Sequence, residues 1–199
     1  AGGLMSLWYL RLFWHLSGRV FSEEEDGRYR YLREYWGDKA HRNHFFFFHF
    51  QALLALMFTL PVWWLSQAES FSPLAVLSAL VLALVSVSGV TIADRQLQQF
   101  RANPANKGKV CERGMWYYSR HPNYFFEWLH WFCYPLMALG MAGGNWLWLA
   151  PLVMLAFLYF ITGIPYTEQQ AIRSRGDAYR RYQQTTSAFI PWRKKHAVD

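Results

Sequence analysis

Four apolar runs, Phe45 to Ser66, Phe71 to Ala93, Pro122 to Ala142 and Asn145 to Ile164, constrain the fold of this chain more than any other feature. Each is close to the about 20 residues that a helix needs to cross about 30 Å of hydrocarbon. No water is present there to pair backbone N–H and C=O groups, so such runs fold as spanning helices. The sequence therefore predicts an all-α, polytopic transmembrane bundle with four full spans, read as one membrane-embedded domain over the whole chain. Eleven Trp, twelve Tyr and sixteen Phe gather near the ends of these runs, as in Trp63-Trp64 and Trp116-Tyr117-Tyr118. That is the position of an interfacial aromatic belt.

Charge orients the bundle. Arg95, Arg101, Lys107, Lys109, Arg113 and Arg120 lie between the second and third runs, and Arg173, Arg175, Arg180, Arg181, Arg193, Lys194 and Lys195 follow the fourth. The opposite connections, Gln67 to Ser70 and Gly143-Gly144, carry no Lys or Arg. Positive-inside bias places the basic loops and the C-terminus in the cytoplasm, so the +7 net charge reports orientation plus an anion site, not nucleic-acid binding. Upstream, Gly3 to Leu16 is apolar apart from Arg11 and His15 and reads as the inner half of a fifth span. The chain opens without Met, and at least one further helix is expected before it. Between that segment and the first full span, Ser17 to His44 reads either as a solvated connector or, through its alternating Arg28, Tyr29, Arg30 and Tyr31, as a cover for a nucleotide.

The polar residues carried into apolar segments point to a site. A helix begun at Pro122 places Asn123, Glu127, His130 and Tyr134 on one face, and a carboxylate inside a span costs roughly 2.5 to 3.5 kcal/mol, which makes Glu127 a candidate site residue. Asp94, Gln98 and Arg101 share a face where the second span leaves the membrane. Arg101 and Arg120, beside Asp94 and Asn123, suit phosphate recognition through two-oxygen guanidinium bonds, whereas Lys107 and Lys109 read as topology determinants and lipid headgroup contacts. His121, just before Pro122, is a proton carrier, a phosphate donor or a helix cap. Cys111 and Cys133 are far apart, and the seven His include no HExxH pair, so no metal site and no disulfide is implied. The absence of GxGxxG after a strand excludes a soluble dinucleotide-binding domain.

Together these segments resemble a known family. Asp94 to Arg101, Asn103-Pro104-Ala105-Asn106-Lys107-Gly108-Lys109, Gly114 to Tyr124 and Thr186-Ser187-Ala188-Phe189-Ile190-Pro191-Trp192 are similar to the bacterial branch of the steroid 5α-reductases, with Leu7 to Arg11 and Asp26-Gly27-Arg28-Tyr29 adding to the match. The Arg-His-Pro element alone also occurs in isoprenylcysteine and phospholipid methyltransferases.

The resemblance implies NADPH-dependent reduction of a carbon–carbon double bond conjugated to a ketone, on a 3-oxo-Δ4-steroid-like or other lipophilic small molecule drawn from membrane lipid. It implies Arg11, Asp94, Arg101, Asn123 and Glu127 as cofactor contacts, and Arg19, Arg28 and Tyr118 by loop position. Tyr166 or Glu168 stands where the family has a tail contact. Tyr9 stands one residue from the family's ketone-polarising Tyr, at Trp8, and the accompanying Gln-Glu pair falls before this chain begins. The expected location is a bacterial inner membrane. The alternative is a membrane methyltransferase using S-adenosylmethionine, and a third reading is a non-catalytic lipid-binding protein.

Overall fold

The computed structural model describes residues 2–22, 27–161 and 163–195. Among them all regular structure is helical, with one isolated bridge between Ser119 and Ser187, as the apolar runs require. Residues 1–69 and 70–199 form two compact units.

The first unit contains α1 (Gly2–Ser22), α2 (Gly27–Trp36) and α3 (Ala40–Leu65). Helix α1 continues well past the expected Gly3-to-Leu16 segment. Helices α2 and α3 pack through rings: Tyr29 lies 5.8 Å from Phe48, and Trp36 meets His44 edge-on at 5.0 Å. Around the rest of α3, Phe45, Phe46, Phe50, Leu53, Leu56 and Trp63 are exposed. A helix apolar on all sides with its large side chains outward is suited to lipid, not water.

The second unit is built on α4 (Pro73–Ala102), preceded by Ser72 and opened by Pro73, whose missing N–H costs nothing at a helix start. Its buried stripe is Ala75, Ala79, Ala83, Ser86, Gly89, Val90 and Ala93, nearly all small, so neighbouring helices approach closely. Against it pack α6 (Pro122–His130) and α7 (Cys133–Met137). At Gly89 an added Cβ would stand 2.3 Å from the Phe126 ring. Asn103 ends α4: it is extended before Pro104, and its side chain accepts from Ala105 N at 3.0 Å. The chain returns through α5 (Met115–Tyr118), and after α7 come α8 (Leu149–Ala156), α9 (Ile164–Arg175) and α10 (Asp177–Thr185).

The third expected span is not one helix. Pro135 has no N–H for the Trp131 carbonyl and its ring crowds that carbonyl. Trp131 N and Phe132 N turn instead to Trp128 O and Leu129 O, at 3.1 and 3.2 Å, and the helix breaks. Among the described residues three helical stretches are long and apolar enough to cross a membrane, Tyr29–Ser66, Pro73–Ala102 and Gly144–Arg175. The last includes a short π-helical turn, Phe157–Ile161, shortly before Pro165.

Candidate functional site

The site is assembled where α4 turns polar. Gln96 Oε1 accepts from Met115 N at 2.9 Å, and Trp116 Nε1 donates to the Ala93 carbonyl at 2.9 Å, which fixes α5 against α4. Gly114, at φ +57°, turns the chain there; a Cβ at this position would meet the Gln96 amide. Past α5 the backbone extends, and Ser119 pairs with Ser187 of the tail: Arg120 N donates to Ser187 O and Ser119 Oγ to Phe189 O, at 2.9 and 2.8 Å.

Arg120 then points into the protein. Its Nε donates to Glu168 Oε1 at 2.6 Å, and Nη1 donates to the Thr186 and Gln183 carbonyls at 2.6 and 2.9 Å. Four groups converge on the Glu168 carboxylate: Arg120, His121 Nε2 at 3.2 Å, Tyr179 hydroxyl at 3.4 Å and Gln183 Nε2 at 2.7 Å. The Tyr182 hydroxyl donates to the Trp116 carbonyl, close to Ser119 O. Burial raises both Tyr179 and Tyr182 above the usual phenol value, so each remains a donor at neutral pH. Burial likewise raises the Cys111 thiol, leaving it unreactive.

Burial pushes the His121 imidazole below its usual value; the Glu168 carboxylate pulls the other way and the Arg120 charge adds to the depression. A neutral ring donating from Nε2 follows, stacked on Tyr124 at 5.3 Å. The sign of the pH dependence is then fixed. The unfolded chain takes up this proton first as pH falls below about 6.5, so His121 destabilises the fold on the acid side and contributes no slope above it. Thermal midpoints of the wild type and of His121→Gln, measured from pH 7.5 to 5.5, should converge as pH falls, since Gln has no proton to take up. Parallel curves would contradict a buried neutral imidazole.

A second polar group lies beside this network. Asn123 Nδ2 donates to Asp94 Oδ1 at 3.3 Å, an orientation fixed because a carboxylate only accepts. Asn123 Oδ1 is buried without a hydrogen-bond partner among the described residues. Arg101 is exposed near the end of α4, about two turns beyond Asp94. Glu127 is half-buried on α6, Tyr166 half-buried on α9, and Tyr118 exposed on α5 with its carbonyl accepting from Trp192 N at 2.9 Å. His130 Nε2 and Tyr134 hydroxyl are 3.1 Å apart across the α6–α7 break. In the first unit Arg11 lies over the Trp8 ring at 5.3 Å; Trp8 is buried and Tyr9 exposed. The side chains of Arg19 and Arg28 fall outside the described residues.

The structure thus brings Arg120, His121 and Glu168 together, and separately Asp94 and Asn123. Sequence reasoning missed Gln183, Tyr179, Tyr182 and the Thr186 carbonyl. The available signal was charge: Arg120 and Glu168 both flank apolar runs, and each needs a counter-charge.

These features define a polytopic α-helical membrane protein whose polar site sits at the mouth of its helices. The chain belongs to the DUF1295 family, a protein family of unknown function and a steroid 5α-reductase-like membrane family, whose model matches residues 2–186. No curated protein and no solved structure matches it.

Proposed function

We propose that the protein is an NADPH-dependent reductase of the bacterial steroid 5α-reductase type, acting in the bacterial inner membrane on the conjugated C=C bond of a lipophilic, steroid-like enone. The observation that carries this reading is Asn123: a buried acceptor, Oδ1, with no partner among the described residues, next to Asp94 and at the end of α4 that also carries Arg101. Buried polar atoms are nearly always satisfied, so an unpartnered acceptor beside the Asn123–Asp94 pair suits a ligand amide or hydroxyl. The residues present therefore fit the cofactor. Asn123 and Asp94 would hold its hydrogen-bonding groups and Arg101 a phosphate. When bound, NADPH would supply hydride to the β-carbon of the enone, the α-carbon taking up a proton.

An apolar groove of about 400 Å³ runs between α4 and α6, lined by Leu84, Val85, Ser88, Ile92, Met115 and Phe126. It is a shallow, open depression whose Leu84, Val85 and Ile92 are exposed, an apolar surface suited to hydrocarbon. Arg120, His121 and Glu168 serve here by holding the tail against α5.

Calorimetry on detergent-solubilised protein tests the reading. NADPH should bind, and Arg101→Ala should weaken it by about 1.5 to 3 kcal/mol, the worth of a hydrogen bond to a charged group. Arg101→Lys should recover only part, because the planar fork is lost. Binding of S-adenosylmethionine without NADPH would transfer the site to the methyltransferase class, and binding of neither would leave a lipid-binding protein.

A further inference from the structure

The face of α10 turned away from Glu168 borders a groove that the proposed reductase site does not use. It has a volume of about 610 Å³ and is lined by Lys109 and Glu112 of the α4–α5 loop, Arg181, Tyr182 and Thr185 of α10, and Lys194 of the tail. Lys194 is held by the Glu112 carboxylate and lies over the Tyr117 and Tyr182 rings, at 5.2 and 5.9 Å. The Tyr182 hydroxyl is engaged with Trp116 O, so that side chain offers the groove its ring. Three cations thus face one carboxylate, and Lys109 and Arg181 are exposed.

The level of this groove relative to the membrane is set by α4. The apolar run stops at Ala93, and Asp94, Arg95 and Gln96 follow. Helix α5 is tied to that turn by the Trp116–Ala93 and Met115–Gln96 hydrogen bonds, and the tail is tied to α5 by Trp192 N to Tyr118 O. Ile190 and Trp192 are exposed, at 55% and 69%, on a strap further pinned by Lys195 N to Thr185 O at 2.8 Å. A fixed Trp with an apolar neighbour, at the depth where a span turns polar, belongs to the headgroup belt. Lys194 is two residues beyond that Trp.

We propose that the groove of Lys109, Arg181 and Lys194 is a binding site for the phosphate headgroup of an anionic glycerophospholipid, with Ile190 and Trp192 inserted beside it. The phosphodiester takes the fork of Arg181 and the ammonium of Lys109, and the aromatic floor carries the glycerol carbons. Glu112 limits the affinity, since it competes for Lys194. This assignment is independent of the reductase reading, because Arg120, Asn123 and Asp94 take no part in it.

Short-chain phosphatidylglycerol, titrated into the full chain in detergent and followed by native mass spectrometry, tests it. Phosphatidylglycerol should bind at least about tenfold more tightly than phosphatidylcholine of the same chain length, the equivalent of one charge-assisted contact. Lys109→Gln with Arg181→Gln should remove that preference while helicity is unchanged, both side chains being exposed. Glu112→Gln should tighten phosphatidylglycerol binding, a gain that a structural role for the ion pair does not give. Equal binding of the two lipids, or an unaffected Lys109/Arg181 double variant, overturns the proposal. Displacement of the lipid by millimolar inorganic phosphate makes this a free-phosphate site, and displacement by NADPH makes it part of the cofactor site; either result overturns the lipid assignment.

Discussion

Arg120→Ala is expected to cost about 3 to 5 kcal/mol of folding stability, the usual price of removing one partner from a buried ion pair. Arg120 is buried and Glu168 partly so, their side chains 10% and 14% exposed, so the cost should fall toward the lower end of that range. Among the described residues the variant leaves Glu168 with His121, Tyr179 and Gln183 as donors, and it removes Arg120 as donor to the Thr186 and Gln183 carbonyls. Arg120→Lys keeps the charge, but one ammonium on a flexible stem does not reach the carboxylate and two carbonyls in the arrangement of a guanidinium, so it should restore less than half of the loss. Denaturant unfolding in detergent micelles, with no cofactor added, gives the number. An unchanged midpoint in Arg120→Ala, together with lost NADPH binding, would mean that Arg120 faces the ligand, as the sequence reading expected.

That contrast shows what kind of information the sequence carries. The apolar runs are a local signal, and α3, α4 and the segment ending in α9 follow them. The break between α6 and α7 was also local, because Pro135 stands inside the third run, but mean hydropathy does not register a missing N–H. The stripe Asn123, Glu127, His130 and Tyr134 assumed an unbroken helix; the break sets Tyr134 on a new one, where it still meets His130 at 3.1 Å. The Arg120 network lay beyond reach for a different reason. Its partners are up to 66 residues away, and two of them are backbone carbonyls, which carry no residue-type signature at all. Asn123 and Asp94, 29 residues apart, are legible as neighbours because each stands at a helix mouth.

Gly89→Leu should act on both fold and groove. The Phe126 ring fills the space where a Cβ would stand, with ring carbons at 2.3 to 2.5 Å, so any side chain at position 89 displaces the ring or separates α4 from α6. Overpacking of this kind costs about 1 to 3 kcal/mol. Here the contact is the main seam of the second unit, formed by a stripe of small residues that permits close approach, so Leu should reach or exceed the top of that range. The ring also lines the apolar groove, and forcing it aside should close that space to a lipophilic ligand. Phe126→Ala alone should lose stability, but less than the about 3 to 5 kcal/mol of a fully buried Phe, because the ring is half-buried and borders the groove. Combined with Gly89→Leu it should lose markedly less than the two single costs added, because the new side chain occupies the vacated volume. A double-mutant cycle from unfolding midpoints measures that coupling. Strict additivity would show that Gly89 and Phe126 do not share this space, and the close α4–α6 seam would have to be abandoned.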